Sequence, residues 1–214
     1  MATTTCYSSS SLILISSLLI LAFAIPSTQA VLSQEQEVRD TTGKKLFAGT
    51  KYYMVPANEV GGLALGPNRH SYCPLGVVHN EYEDDQGMPV KFFPLDSKKG
   101  RVRISTDLNI MFDITKPECG DTTIWKLSPY DYEAERYFVT AGGTEGNPGC
   151  GTRKNWFKIE KYEDAYKLSF CPSVCKEKKV GLCVDLGIYV EGNGVRRLAL
   201  SSEPFKIKFK KVYA

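Results

Sequence analysis

From Val38 to the end, the chain never holds apolar residues at helical spacing for three successive turns. Short β-rich runs follow one another instead. Tyr52-Tyr53-Met54-Val55 is closed by Pro56, and Leu63-Ala64-Leu65 by Gly66-Pro67-Asn68. Val77-Val78, Val90-Lys91-Phe92, Val102-Arg103-Ile104 and Leu108-Asn109-Ile110-Met111-Phe112 come next, with turn residues between them. Alternation of period two buries one face of a strand, and Gly, Pro, Asn and Asp reverse the chain, so the pattern predicts an all-β domain essentially without helix. Hairpins are expected around Asp131–Glu135, between Trp156–Ile159 and Tyr166–Phe170, and across Glu191-Gly192-Asn193-Gly194. Phe205, Ile207 and Phe209 alternate with Lys206, Lys208 and Lys210. That pattern is expected to be an edge strand with lysines on its wet face. Units around Trp125-Lys126-Leu127 and Phe157-Lys158-Ile159 repeat one aromatic-x-aliphatic design.

Residues 1–30 differ from this pattern. They contain no Asp, Glu, Lys or Arg, carry apolar runs at Leu12–Ile15 and Leu18–Ile25, and end in small residues at Ala30. They read as a secretory signal cut after Ala30, with Ala22-Phe23-Ala24 as a second small-x-small site; the cut after Ala30 leaves 31–214 as one domain. The predicted product is secreted, extracellular or vacuolar, with no second apolar stretch of membrane-spanning length. Its 184 residues (214 − 30) keep the net charge of +3. This is too mild for a nucleic-acid face.

Cys6 leaves with the signal, so Cys73, Cys119, Cys150, Cys171, Cys175 and Cys183 remain. Six cysteines in an exported chain imply three disulfides, for which 15 pairings exist. A zinc site is poorly supported. No Cys-x-x-Cys occurs, and His70 and His79 flank Cys73 alone. The histidines are expected in loops. The run Lys176-Glu177-Lys178-Lys179 reads as a solvated loop between cysteines. Catalytic signatures are also missing: there is no Gly-x-Ser-x-Gly, no His-Glu-x-x-His and no phosphate-binding glycine loop, so an enzyme is not expected. No Asn-x-Ser/Thr sequon is present. One exposed basic segment stands out, Asp96-Ser97-Lys98-Lys99-Gly100-Arg101-Val102-Arg103, bracketed by strand-like runs. By itself it is a solvated loop tip.

A set of ordered motifs then carries a resemblance. Val38-Arg39-Asp40-Thr41-Thr42-Gly43-Lys44-Lys45-Leu46 leads into Tyr52-Tyr53-Met54. Cys73-Pro74, Gln86-Gly87-Met88-Pro89-Val90, Ser105-Thr106-Asp107-Leu108-Asn109-Ile110 and Gly146-Asn147-Pro148-Gly149 follow. Asn155-Trp156-Phe157-Lys158-Ile159, Phe170-Cys171-Pro172 and Arg196-Arg197-Leu198-Ala199-Leu200-Ser201 complete the series. The chain resembles the plant Kunitz-type (soybean trypsin inhibitor) family, closest to its miraculin-like branch. The resemblance implies a β-trefoil of twelve strands with pseudo-threefold symmetry. It also implies the bridges Cys73–Cys119 and Cys171–Cys183, with Cys150–Cys175 as the remaining pair.

In that family, residues 93–103 occupy the reactive-site loop. The resemblance places Lys98, Lys99, Gly100 and Arg101 in it, with Lys98 or Lys99 before the attacked bond and Lys99 favoured. The implied partner is a trypsin-like serine protease, bound by a monomer without cofactor, and plant defence is the implied setting. Two departures count against strong inhibition. Ala48 stands where potent members carry a loop-bracing asparagine, and Gly100 replaces a stiffening β-branched residue. A non-inhibitory miraculin-like binding or storage protein is therefore the alternative. A lectin-type trefoil is disfavoured, because neither Trp125 nor Trp156 belongs to a Gln-x-Trp repeat.

Overall fold

A computed structural model describes residues 1–3, 37–96, 100–120, 122–175 and 183–213. Residues 4–30 of the signal segment, Lys98, Lys99 and the Lys176–Lys179 run lie outside these residues. Twelve strands form one sheet system: β1 (Tyr52–Pro56), β2 (Gly62–Gly66), β3 (Gly76–Asn80), β4 (Val90–Pro94), β5 (Leu108–Phe112), β6 (Lys126–Asp131), β7 (Arg136–Thr140), β8 (Lys158–Tyr162), β9 (Ala165–Phe170), β10 (Val184–Val190), β11 (Arg196–Ser201) and β12 (Ile207–Lys211). Alternation explains the clearest of them. In β1 and β4 every second residue is buried, so one face enters the core and the other meets solvent.

Six strands close a barrel. β1 pairs with β12 from Tyr52↔Lys211 to Pro56↔Ile207, and with β4 at Tyr52↔Val90. β4 pairs with β5, and Leu108 of β5 bridges to Phe157, just before β8. β8 pairs with β9, and β9 returns to β12 at Tyr166↔Ile207. The hairpins β2–β3, β6–β7 and β10–β11 form a cap, joined by Gly76↔Thr140, Val78↔Arg197 and Phe138↔Ala199. A six-stranded barrel with a hairpin-triplet cap is a β-trefoil. Fully buried Tyr52, Phe92, Phe112, Trp125, Phe157 and Phe209 fill its centre. Edge-on contacts, Phe92–Phe209 at 5.5 Å and Trp125–Phe157 at 6.2 Å, let the positive ring edge of one meet the negative face of the next.

Local turn chemistry sets the hairpins. Asp131 Oδ1 accepts the N–H groups of Glu133 and Ala134, each at 3.0 Å, and caps the β6–β7 turn. Gly194 closes the β10–β11 turn at φ +86, which a side chain would strain. Disulfides join Cys73 to Cys119, Cys150 to Cys175 and Cys171 to Cys183.

Four local expectations need correction. β12 is an interior strand, paired on both sides by β1 and β9, so its lysines do not line a sheet edge. Lys206 instead reaches Glu163 and Asp164, each at 2.6 Å. His79 lies in β3, not in a loop, with its side chain fully buried. Residues Cys150–Asn155 form a short 3-10 helix that the β-rich pattern did not announce. Val102–Ile104 is not a regular strand: Arg103 makes one isolated bridge, to Glu37, because the partners of this stretch come from segments far apart in sequence.

Candidate functional site

The loop between β4 and β5 is closed at its base by the Pro94↔Leu108 pair and by Leu95 N–H donating to the Asp107 carbonyl at 2.8 Å. The buried Asp107 carboxylate accepts the Ser173 N–H at 3.1 Å and is also bonded by the Ser173 hydroxyl. The loop base is thereby tied to the cysteine-rich segment after β9. Next to it, buried Asn109 accepts the Gly146 N–H at 2.8 Å and donates to the Asn155 carbonyl at 2.8 Å. Burial without those partners would be costly, so this amide fixes two neighbouring loops in place.

The second leg of the loop is held differently. Val38 N–H donates to the Val102 carbonyl at 3.1 Å, Val102 N–H to Leu46 at 3.0 Å, and Leu46 N–H back to Val38 at 2.9 Å. Three distant segments thus form a cyclic set of backbone bonds, and their side chains, each 0% exposed, plug the core together. Immediately before these residues in sequence stand Glu37, Lys45 and Arg101. The Glu37 carboxylate pairs with Lys45 Nζ at 2.5 Å and accepts from Arg101 Nη1 at 2.6 Å. Burial works against its charged form, but the two cations outweigh this and hold the Glu37 carboxyl below the usual range.

Gly100 and Arg101 are the described members of the expected reactive set; Lys98 and Lys99 lie outside the described residues. Gly100 adopts φ +60 in the left-handed region. Its carbonyl accepts the Ala48 N–H at 2.7 Å. Ala48 therefore braces the leg through its backbone, although it has no amide side chain to offer. Phe47, whose N–H donates to the Tyr52 hydroxyl at 3.0 Å, bridges Arg101 and remains exposed beside the leg. Glu37, Lys45 and Phe47 were not singled out by sequence reasoning. The one available signal is that Glu37, Lys45 and Arg101 each directly precede a buried aliphatic residue.

Other polar clusters lie in the cap, around a cleft of about 940 Å³ between the β2–β3 and β10–β11 hairpins. Two His–carboxylate groups there have ligand atoms close enough for a cation, Glu59/His79/Glu81 and His70/Asp131/Glu133. An arginine already supplies the positive charge in each. Arg196 bonds Glu59, Glu81 and His79 Nδ1 at 2.7, 3.0 and 3.1 Å. Arg69 pairs with Asp131 at 2.7 Å and Glu133 at 3.5 Å. In each cluster the arginine ties the carboxylates together and so locks neighbouring segments of the cap.

Comparison with known proteins agrees with this geometry. The profile of the legume Kunitz family, described as trypsin and protease inhibitor, matches residues 38–211. Miraculin of Synsepalum dulcificum is 45% identical over 203 residues, covering 91% of this chain and 92% of that protein. Kunitz trypsin inhibitor 5 of Arabidopsis thaliana is 42% identical over 180 residues, covering 83% and 87%. The solved Kunitz-type cysteine protease inhibitor from potato superposes with a TM-score of 0.71 at 32% identity, covering 84% of this chain and 99% of that one. The chain belongs to the plant Kunitz-type family of protease inhibitors, on its miraculin-like side, and is a β-trefoil inhibitor-family protein rather than an enzyme.

Proposed function

We propose that this protein is a secreted, monomeric inhibitor of trypsin-like serine proteases, acting in plant defence. Its 93–103 loop would serve as the decoy substrate, with Lys99 entering the specificity pocket and Gly100 and Arg101 following the attacked bond. The observation that supports this best is that the loop is anchored on both sides by backbone hydrogen bonds to the barrel. Anchored ends lower the ordering cost of docking and keep the two sides of a cleaved bond adjacent, which favours religation. A lysine suits a pocket that carries a buried carboxylate.

Gly100 argues for modest potency. A substrate lies extended in a protease cleft, whereas φ +60 turns the chain just past the lysines. Docking must therefore reset Gly100, which glycine allows at an entropic cost. The same observation, with Ala48 in place of a bracing amide, favours the second reading: a miraculin-like binding or storage protein that keeps the fold without inhibition.

Trypsin titration of the mature chain separates the two readings. Lys99→Ala should remove most of the inhibition, since truncating one partner of a buried interfacial charge pair costs several kcal/mol, and Lys98→Ala should cost much less. A reversed ranking moves the attacked bond back by one residue. If the wild type leaves trypsin untouched at micromolar excess, and Ala48→Asn does not rescue it, the inhibitory reading fails and the storage or binding reading replaces it.

A further inference from the structure

We infer that Glu37 is the positioning residue of the reactive loop, a brace built from charge where this chain lacks an asparagine at position 48. Two stacked tiers carry the argument. In the lower tier Val38, Leu46 and Val102 close their cyclic hydrogen bonds around apolar side chains that are fully buried. In the upper tier the preceding residues, Glu37, Lys45 and Arg101, meet side chain to side chain.

The carboxylate is the hub. One oxygen takes Lys45 at 2.5 Å and the other takes Arg101 at 2.6 Å, and its own side chain is only 7% exposed. Arg101 cannot swing outward without leaving that carboxylate half-compensated in a buried place, which is unfavourable. Arg101 directly follows Gly100, so the guanidinium–carboxylate bond fixes the chain one residue from the most permissive backbone in the loop. The backbone bridges Glu37↔Arg103 and Phe47↔Arg101 hold the same stretch from either side. Lys45 is bonded to the hub but lies on a different segment, so its loss leaves the loop leg attached. Glu37 therefore limits how far the leg opens, and both inhibitory strength and resistance to cleavage follow from that limit. The inference rests on the inhibitory reading only for inhibitory strength; cleavage tests it separately.

The test uses the mature protein, catalytic amounts of trypsin, and mass spectrometry to time cleavage after Lys98, Lys99 and Arg101. Inhibition constants and thermal midpoints are measured on the same samples. Glu37→Gln should be cut about tenfold faster within the loop, with a thermal midpoint only a few degrees lower, because cleavage tracks the population of the opened leg. Its inhibition constant should rise by a similar factor. Lys45→Gln should change loop cleavage less than twofold. Glu37→Arg should be cut faster still, and adding Arg101→Glu should restore slow cleavage after the lysines. Unchanged loop cleavage in Glu37→Gln overturns the inference. So does equal acceleration in Lys45→Gln, which would mean that the carboxylate supports the ring of segments and not the leg. A wild type that does not inhibit trypsin, alongside a faster-cut Glu37→Gln, refutes the inhibitory reading and upholds the brace. A wild type that inhibits, alongside an unchanged Glu37→Gln, does the reverse.

Discussion

Replacing Arg69 with methionine should unfasten the cap. Its guanidinium lies between Asp131 at the end of β6 and Glu191 just after β10, at 2.7 Å from each, and the side chain is 13% exposed. Arg197 reaches the same Glu191 at 2.9 Å, so one charged cluster ties elements of all three hairpins. Removing one partner of a buried pair typically costs about 3–5 kcal/mol. Asp131 would keep His70 at 2.8 Å and its two turn N–H groups, and Glu191 would keep Arg197. The expected loss is therefore at or just below the bottom of that range, about 2–3 kcal/mol. For a domain of this size that corresponds to a fall in Tm of about 5–10 °C. The penalty should also depend on pH. Burial raises the Asp131 carboxyl, but the Ala134 N–H, His70 and Arg69 outweigh it and bring it from 3.8 down to about 2. A depressed folded-state value means stability that is fully present above pH 3.8 and lost as pH falls toward 2. The whole shift is worth about 2 kcal/mol at most, and Arg69 supplies part of it. Thermal unfolding of wild type and Arg69→Met at pH 7 and pH 2 measures both effects. A Tm loss under about 2 °C at neutral pH, or a penalty as large at pH 2 as at pH 7, refutes the reasoning.

Two further perturbations probe the loop and the staples. Gly100→Val meets nothing within 4 Å of the added carbon, yet φ +60 disfavours a β-branched residue by about 1–2 kcal/mol. The leg should shift toward the extended form, and trypsin inhibition should tighten about fivefold; weaker binding by the intact variant would show that the turned form is the one that docks. Replacing Cys73 and Cys119 with serine opens a span of 46 residues and should lower stability by about 4 kcal/mol by loop entropy, measured by denaturant unfolding. A loss below about 1 kcal/mol would mean that the denatured chain is already confined there without the bridge.

Local sequence determined whatever depends on neighbours a few residues apart. Alternation at Val90–Pro94, Leu108–Phe112 and Ile207–Lys211 marked strands, because a strand's two faces are written two residues apart. Asp131, Asn193 and Gly194 marked the turns that join them, and the ordered motifs marked the family. Tertiary structure alone decided which strands are interior. β12 carries the lysine alternation of an edge strand, yet closure of the barrel gives it two neighbours. It alone buried His79 in β3, beneath Arg196 and against Phe205 at 5.1 Å. It alone made a brace of Glu37, Lys45 and Arg101. Position 37 is 64 residues from position 101, and nothing in either segment specifies the other. An ion pair of that kind exists only once the three aliphatic neighbours have packed, since burial of Val38, Leu46 and Val102 brings the charges within reach.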